Sequence, residues 1–265
     1  MAETQIRFDD GDSYERYMGD WSQRVGKGFL DWLAAPSGLK WVDVGCGNGA
    51  FTELLVERCA PAEVHGVDPS EAQLAFARKR PAARLAKFDH GDAMELPFPA
   101  KAFDAAIMAL VIFFVPNPVK GVAEMVRVVR PGGVVAAYAW DILGGGFTLE
   151  PVRIELRAMG IKPVDPPSVE ASRIEVMRDL WTKAGLDAIE TRQITVQRTF
   201  SNFEEFWAIT LSGSPSLRPT LAEMSPADVE LFKTKVRARL PADAAGGITY
   251  ESRANAVKGC VYQRK

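Results

Sequence analysis

The sequence has only three cysteines in 265 residues. Cys46, Cys59 and Cys260 are odd in number and show no paired metal-ligand spacing, so neither a disulfide framework nor a metal site is indicated. An excess of one charge is also lacking. Thirty-two Lys and Arg stand interspersed with 34 Asp and Glu, for a formal net charge of -2. With no polybasic face to neutralise a phosphate backbone, a nucleic-acid partner is not expected. The longest apolar run, 105-AAIMALVIFFV-115, falls far short of the roughly 20 residues of a membrane span. No charged leader with an apolar core and cleavage site opens the sequence, so the expectation is a cytoplasmic protein without a membrane span. Repeats and low-complexity tracts are absent too. What remains, 47% hydrophobic and 25% charged residues, is a globular profile able to bury a core and bind a small ligand.

The first half alternates short β-branched runs with segments of helical period: 41-WVDV-44, a helix to about Cys59, 63-EVHGVD-68, a helix from Ser70, then 84-RLAKFDH-90. Such alternation argues for βαβ units in a parallel sheet. Ser70 and Gln73 form a capping box that marks the start of its helix. A buried strand at 103–111, a helix near 119–130, the turn 131-PGG-133 and a strand at 134–140 continue the pattern. Beyond residue 140 the signal is less regular, with a helix around 171–185 and strands at 187–197 and 249–263. Between those last strands lies helical sequence. There 225-SPADVELFKTKVRARL-240 has Ser at the N-cap, Pro at the first helical position, and Val229, Phe232, Val236 and Leu240 at helical spacing.

The stretch 41-WVDVGCGNGAFTELLVERCA-60 carries the chemistry. A strand ending in alternating glycines and running into a helix suggests free backbone N–H groups and a positive helix end suited to a nucleotide-like ligand. Gly45, Gly47 and Ala50 satisfy the dinucleotide spacing G-x-G-x-x-G/A, with Asp68 about 20 residues on. Asp43, two residues ahead of Gly45, extends the motif to D-x-G-x-G-x-G and gives Gly49 a use. Here the chain resembles the class I S-adenosylmethionine-dependent methyltransferases, of the small-molecule type similar to the ubiquinone and menaquinone biosynthesis group. The resemblance runs in order through VDVGCGNG, GVDPS, 91-GDAMELPFPAKAFD-104 and 126-VRVVRPGGVVAAYAW-140.

That resemblance implies an α/β, doubly wound, Rossmann-like, seven-stranded and mostly parallel sheet with an antiparallel last strand and a helical insert before it. It also implies one domain over residues 1–265, with an N-terminal helical cover (1–38), a cofactor-binding core (39–140) and a cap insert (198–247). The cofactor would be S-adenosylmethionine, leaving as S-adenosylhomocysteine. Gly45, Gly47 and Gly49 would make room for its methionine part, and carbonyls near Gly45 and Ala109 would take its ammonium. Asp43 would orient the turn or meet the amino acid through water. Asp68 would accept both ribose hydroxyls. Asp92 would accept from the adenine amino group, Ala93 N–H would donate to the ring, and Pro69 and Leu110 would flank its faces.

The acceptor side is read from residue types and position. Tyr14, Tyr17 and Trp21 cluster ahead of the first strand, either as a packed helix face or as a cover lining the site. Trp140 and Asp141 follow the fifth strand at the carboxyl edge, where ligands bind in open α/β sheets. Asp141 is the preferred carboxylate near the acceptor. His90, closing the third strand, is a second candidate base, whereas His65 reads as structural. Phe206 and Trp207 in the insert either cap an apolar acceptor or pack in a core. Cys46 is read as a small buried hydrophobe. Two other readings of the glycine turn stand beside this one: a nicotinamide-dependent oxidoreductase, which uses neither Asp43 nor the Gly91-Asp92 pair, and a protein that binds the cofactor without turnover. The acceptor (an O, N or C nucleophile on a small molecule) and the oligomeric state are not legible.

Overall fold

The computed structural model describes residues 18–214 and 217–263. Seven strands, β1 (Lys40–Val44), β2 (Glu63–Asp68), β3 (Ala86–His90), β4 (Phe103–Ala109), β5 (Val129–Trp140), β6 (Leu186–Phe200) and β7 (Ile248–Val261), form one sheet in the order β3-β2-β1-β4-β5-β7-β6. Strands β1 to β5 pair in parallel. Strand β7 runs antiparallel between β5 and β6. The parallel βαβ sheet expected from the alternating pattern is formed, in the Rossmann-like arrangement that the resemblance implied. Central strands β1 and β4 read as nearly unbroken apolar runs because both of their faces are covered.

Helices flank the sheet: α1 (Asp20–Leu33), α2 (Ala50–Cys59), α3 (Glu71–Ala77), α4 (Pro118–Val128), α5 (Glu150–Ala158) and α6 (Ile174–Lys183). On one face, the Phe29 ring of α1 lies 4.7 Å from Tyr138 of β5, and Phe51 of α2 lies 5.7 Å from the same ring. On the other face Trp181 of α6 is fully buried, and its indole N–H donates to the Val135 carbonyl at 2.8 Å. Trp181→Phe keeps an aromatic ring there but removes this bond, leaving the Val135 carbonyl with its place in the β5–β7 ladder. It should cost about 1 kcal/mol in urea unfolding; an unchanged midpoint would show the bond to be dispensable.

The helix starts follow local chemistry. Ser70 Oγ accepts the Gln73 N–H ahead of α3, Asn117 caps α4 with Pro at its first position, and Ser225 caps α9 (Pro226–Arg239) in the same way. Helices α7 (Phe203–Gly213), α8 (Leu217–Ala222) and α9 make up the expected insert between β6 and β7.

Two features differ from the sequence expectation. Residues 131-PGG-133 lie inside β5 rather than before it, because pairing with β4 resumes across them, jumping from Phe103↔Val129 to Ala105↔Val134. The turn signal marks this jump, with Gly132 at φ +77. Helix α5 went unread because its inward face carries Arg153 and Glu155, both buried, which breaks the apolar period. Asp165 and Glu150 flank Arg153, and Arg239 of α9 pairs with Glu155.

Strand order reverses between β1 and β4, so a crevice opens outside their carboxyl ends. The glycine turn sits at that point. Among the described residues no helix is long and apolar enough to cross a membrane.

Candidate active site

Gly45, Gly47 and Gly49 all adopt positive φ (76°, 53° and 80°), a region closed to most side chains. A Cβ on Gly45 would stand 2.5 Å from Val111, whereas a Cβ on Gly47 would meet nothing within 4 Å among the described residues beyond its chain neighbours. Gly45 thus serves close packing against the loop after β4, and Gly47 presents bare backbone. The amides of this turn are spent internally. Gly45 and Cys46 N–H donate to the Val67 carbonyl (2.7 and 3.0 Å), and Gly49 N–H to the Cys46 carbonyl (2.9 Å). Gly47 N–H donates to Asp68 Oδ2 (2.9 Å). The free amides expected from sequence are therefore not available at these four residues.

Two carboxylates sit under the turn. Asp43 is fully buried; its Oδ2 accepts the Thr52 hydroxyl at 2.6 Å, and its Oδ1 has no partner among the described residues. Burial, opposed by the Thr52 bond and reinforced by the charge of Asp68, pushes the Asp43 carboxyl up from 3.8 to about 7. Asp68 closes β2 and accepts Ser70 N–H on Oδ1 (2.8 Å) as well as Gly47 N–H. Burial also raises its carboxyl, against the pull of those two amides. Each oxygen keeps a second acceptor direction for a ligand hydroxyl. Burial and the two nearby carboxylates hold the Cys46 thiol well above its usual range, consistent with an inert role.

Around this centre, Asp92 is exposed and accepts Met94 N–H on Oδ1 (2.7 Å), and Ala93 is half-buried beside it. Leu110, just past Ala109, holds φ +62 with its N–H donating to the Tyr138 carbonyl (2.9 Å). A non-glycine residue in this region stores roughly 1–2 kcal/mol of strain, and such strain gathers at ligand sites. Pro69 is exposed, and its carbonyl lies 3.1 Å from His90 Nε2.

His90 and Asp141 stand at the carboxyl ends of β3 and β5, four strand positions apart, or roughly 19 Å. They cannot serve one acceptor atom. Asp141 is committed elsewhere: Arg253 of β7 donates to Oδ2 through Nε (3.0 Å) and Nη2 (2.5 Å), and Gly144 N–H donates to Oδ1 (3.1 Å). The loop 141–146 is tied further by Asp141 N–H to the Arg253 carbonyl and Arg253 N–H to the Gly146 carbonyl. Arg253→Ala leaves the Asp141 carboxylate, 8% exposed as a side chain, without its cation. A loss of about 2 kcal/mol is expected, less than for a fully buried pair because Arg253 is 35% exposed; thermal melts would show it.

Trp21 and Trp140 are buried and meet edge to face at 6.3 Å. Phe206 and Trp207 pack inside the insert, against Phe200, Phe203 and Phe232. Tyr14 and Tyr17 lie outside the described residues.

Residues 42–137, from β1 to the middle of β5, match the family model described as a methyltransferase domain. A demethylmenaquinone methyltransferase of Staphylococcus aureus is 38% identical over 117 residues, 43% of this chain and 47% of that one. These residues form a methyltransferase domain. The chain spans about half the length of the curated relatives it matches. Solved structures extend the likeness in fold. The YcgJ protein of Bacillus subtilis has a TM-score of 0.61 at 18% identity, covering 92% of this chain and all of that one. Haemonchus contortus phosphoethanolamine N-methyltransferase 2, solved with S-adenosylmethionine, has a TM-score of 0.60 at 20% identity, covering 97% of this chain and 58% of that one.

Several residues of this methyltransferase domain that bear on the site escaped sequence reasoning. Thr52, nine positions past Asp43 on α2, is its only hydrogen-bond donor among the described residues, and a hydroxyl in the first turn after the glycines was the available signal. Arg253, outside the domain on β7, gives no signal, because its partner Asp141 is 112 positions away.

Proposed function

We propose that the protein transfers a methyl group from S-adenosylmethionine to a small-molecule acceptor. The observation that carries this reading is the electrostatics of the glycine turn. Two carboxylates, Asp43 and Asp68, lie beneath it, and the amides of Gly45, Cys46, Gly47 and Gly49 are already bonded. Such a site repels the pyrophosphate of a nicotinamide dinucleotide, which needs free amides and positive potential. It attracts a ligand that presents an ammonium and a sulfonium.

In this reading Gly47 gives the tail room, the unpartnered Asp43 Oδ1 draws the ammonium directly or through water, and Asp68 accepts the ribose hydroxyls on its remaining lone pairs. Asp92 and Ala93 receive the adenine edge, between Pro69 and Leu110. S-adenosylmethionine supplies a methyl group already activated on a sulfonium. The protein's task is alignment and exclusion of water, an effect able to supply on the order of 7–11 kcal/mol. Neither Asp141 nor His90 is carried forward as a general base, since the first is held by Arg253 and the second lies on the ribose side.

Calorimetric titration should give saturable uptake of S-adenosylmethionine and none of NAD, and a labelled methyl donor in a mixed metabolite extract should yield a labelled product. Uptake of NAD alone would transfer the assignment to an oxidoreductase. Uptake of the methyl donor without product would make this a binding protein.

A further inference from the structure

The loop after β3, residues 91–98, has few hydrogen bonds of its own: Asp92 Oδ1 accepts Met94 N–H, the Asp92 carbonyl accepts Glu95 N–H (3.0 Å), and the Leu96 carbonyl accepts Phe98 N–H (2.8 Å). Helix α4 supplies the rest. Glu124 Oε2 accepts Leu96 N–H (2.8 Å), while Arg127 donates to the Phe98 carbonyl through Nη1 (2.7 Å) and to the Leu96 carbonyl through Nη2 (3.0 Å). The two side chains also meet each other fork to fork, Arg127 Nε donating to Oε1 and Nη2 to Oε2, both at 2.7 Å. A solvent-facing pair one turn apart contributes little by itself. This one instead spends its remaining capacity on three backbone atoms of one loop. The bonds from Arg127 hold the Glu124 carboxyl below its usual range, against burial and with help from the Leu96 amide, so the clamp is charged at neutral pH. Its grip reaches the front of the loop. A Cβ on Gly91 would stand 2.9 Å from both the Pro97 ring and Val67, so the chain folds back and seats Pro97 on Gly91. Gly121, one turn ahead of Glu124, brings α4 alongside Ala93, since a Cβ there would stand 3.9 Å from the Ala93 carbonyl.

We infer that Glu124 and Arg127 are positioning residues for base selection: by fixing residues 91–98 onto α4 they set the Asp92 carboxylate and the Ala93 N–H to accept a 6-aminopurine and reject a 6-oxopurine. The inference rests on the methyl-donor reading, which brings the adenine edge to Asp92 and Ala93, and adds what holds that edge in place. Asp92 Oδ1 is used within the loop, and Oδ2 makes no hydrogen bond among the described residues. A carboxylate only accepts, so it suits an exocyclic amino group, while a backbone N–H beside it suits the lone pair of the ring nitrogen. An oxopurine reverses both. Its oxygen faces the carboxylate, and its ring nitrogen carries a hydrogen towards the amide, which is the kind of mismatch that hydrogen-bonding sites reject strongly. Asp92 is exposed, so burial does not fix it. Its aim depends on the backbone between Gly91 and Phe98, and selectivity of this sort is lost once the supporting groups loosen. Glu124 and Arg127 act on the base only through that backbone.

The test titrates S-adenosylhomocysteine and S-inosylhomocysteine, which differ only in the base, into the full-length protein by calorimetry. The unaltered protein should prefer the adenosine compound by roughly tenfold or more. Arg127→Ala removes both carbonyl bonds, and the preference should fall by at least about threefold, towards none. Glu124→Gln keeps an acceptor for the Leu96 amide but loses the charge that holds Arg127, and should lower the preference in the same direction. A purely structural role for the pair would weaken both compounds by one factor and leave their ratio alone. The inference is overturned if the unaltered protein does not distinguish the two compounds, or if the ratio in Arg127→Ala drops by less than about threefold. Should Arg127→Ala fail to fold, Glu124→Gln decides by the same ratio. Uptake of S-adenosylhomocysteine with an unchanged ratio sinks the inference alone, whereas a protein that takes up neither compound sinks the methyl-donor reading and the inference with it.

Discussion

Replacing Asp68 with alanine is expected to lower the affinity for S-adenosylmethionine by 100-fold or more. The carboxylate has two jobs at once. It accepts the Gly47 and Ser70 amides, which fix the turn and the start of α3, and in the proposed function it offers its remaining lone pairs to the ribose. Each charge-assisted bond to a ligand hydroxyl is worth about 1.5–3 kcal/mol net, so loss of two exceeds the roughly 2.7 kcal/mol that corresponds to 100-fold. The alanine variant also strands two amides, so the ligand-free protein should lose about 1–2 kcal/mol in denaturant unfolding. Asp68→Asn separates the effects, since its carbonyl still accepts one amide while the charge is gone. Calorimetry within fivefold of the unaltered protein for Asp68→Ala would end the assignment of this residue to the sugar.

The second large effect concerns Asp43 and depends on pH. A carboxyl raised from 3.8 unfolded to about 7 folded binds its proton more tightly in the native state. Its contribution is then fully present below pH 4 and lost as pH rises through 7. The ionised native form at pH 8 is about 4 kcal/mol less stable than if the carboxyl titrated normally. Asp43→Asn removes that ionisation and keeps an acceptor for the Thr52 hydroxyl, while its amide nitrogen lacks an acceptor at a cost of about 1–3 kcal/mol. The ligand-free variant should therefore be about 2 kcal/mol more stable than the parent at pH 8 and no more stable at pH 5. At the same time it should bind S-adenosylmethionine at least tenfold more weakly, having lost the charge that draws the ammonium. Urea midpoints at the two pH values read the first effect. A stability difference independent of pH would show that Asp43 does not titrate in this range.

The sheet was legible from sequence because parallel strands buried on both faces announce themselves as short apolar runs, and the glycines, Ser70 and Ser225 punctuate them. The place of the crevice was legible for a related reason: the residues proposed to line it lie within a few positions of strand ends, so order along the chain is also order along the crevice. The state of the turn was not legible. That Gly45, Cys46, Gly47 and Gly49 spend their amides on Val67, Cys46 and Asp68 depends on how the β2 end approaches the β1 end. The surroundings of the carboxyl end of β5 were opaque because their contacts join distant segments. Trp21 meets Tyr250, and Asp141 meets Arg253. Helix α5 hid behind inward-facing charges whose partners, Asp165 and Arg239, lie on other segments.

Helices α7 to α9 hang from the tip of the long β6–β7 ladder, which pairs continuously from Glu190↔Lys258 to Phe200↔Ile248. Whatever is inserted there inherits a rigid mount while leaving the β1–β5 crossovers untouched. Lengthening a connection at such a tip is thermodynamically mild, about 0.6 kcal/mol per doubling. The hairpin thus acts as a socket: what is fitted at its tip can change while the crevice at the ends of β1 and β4 stays as it is.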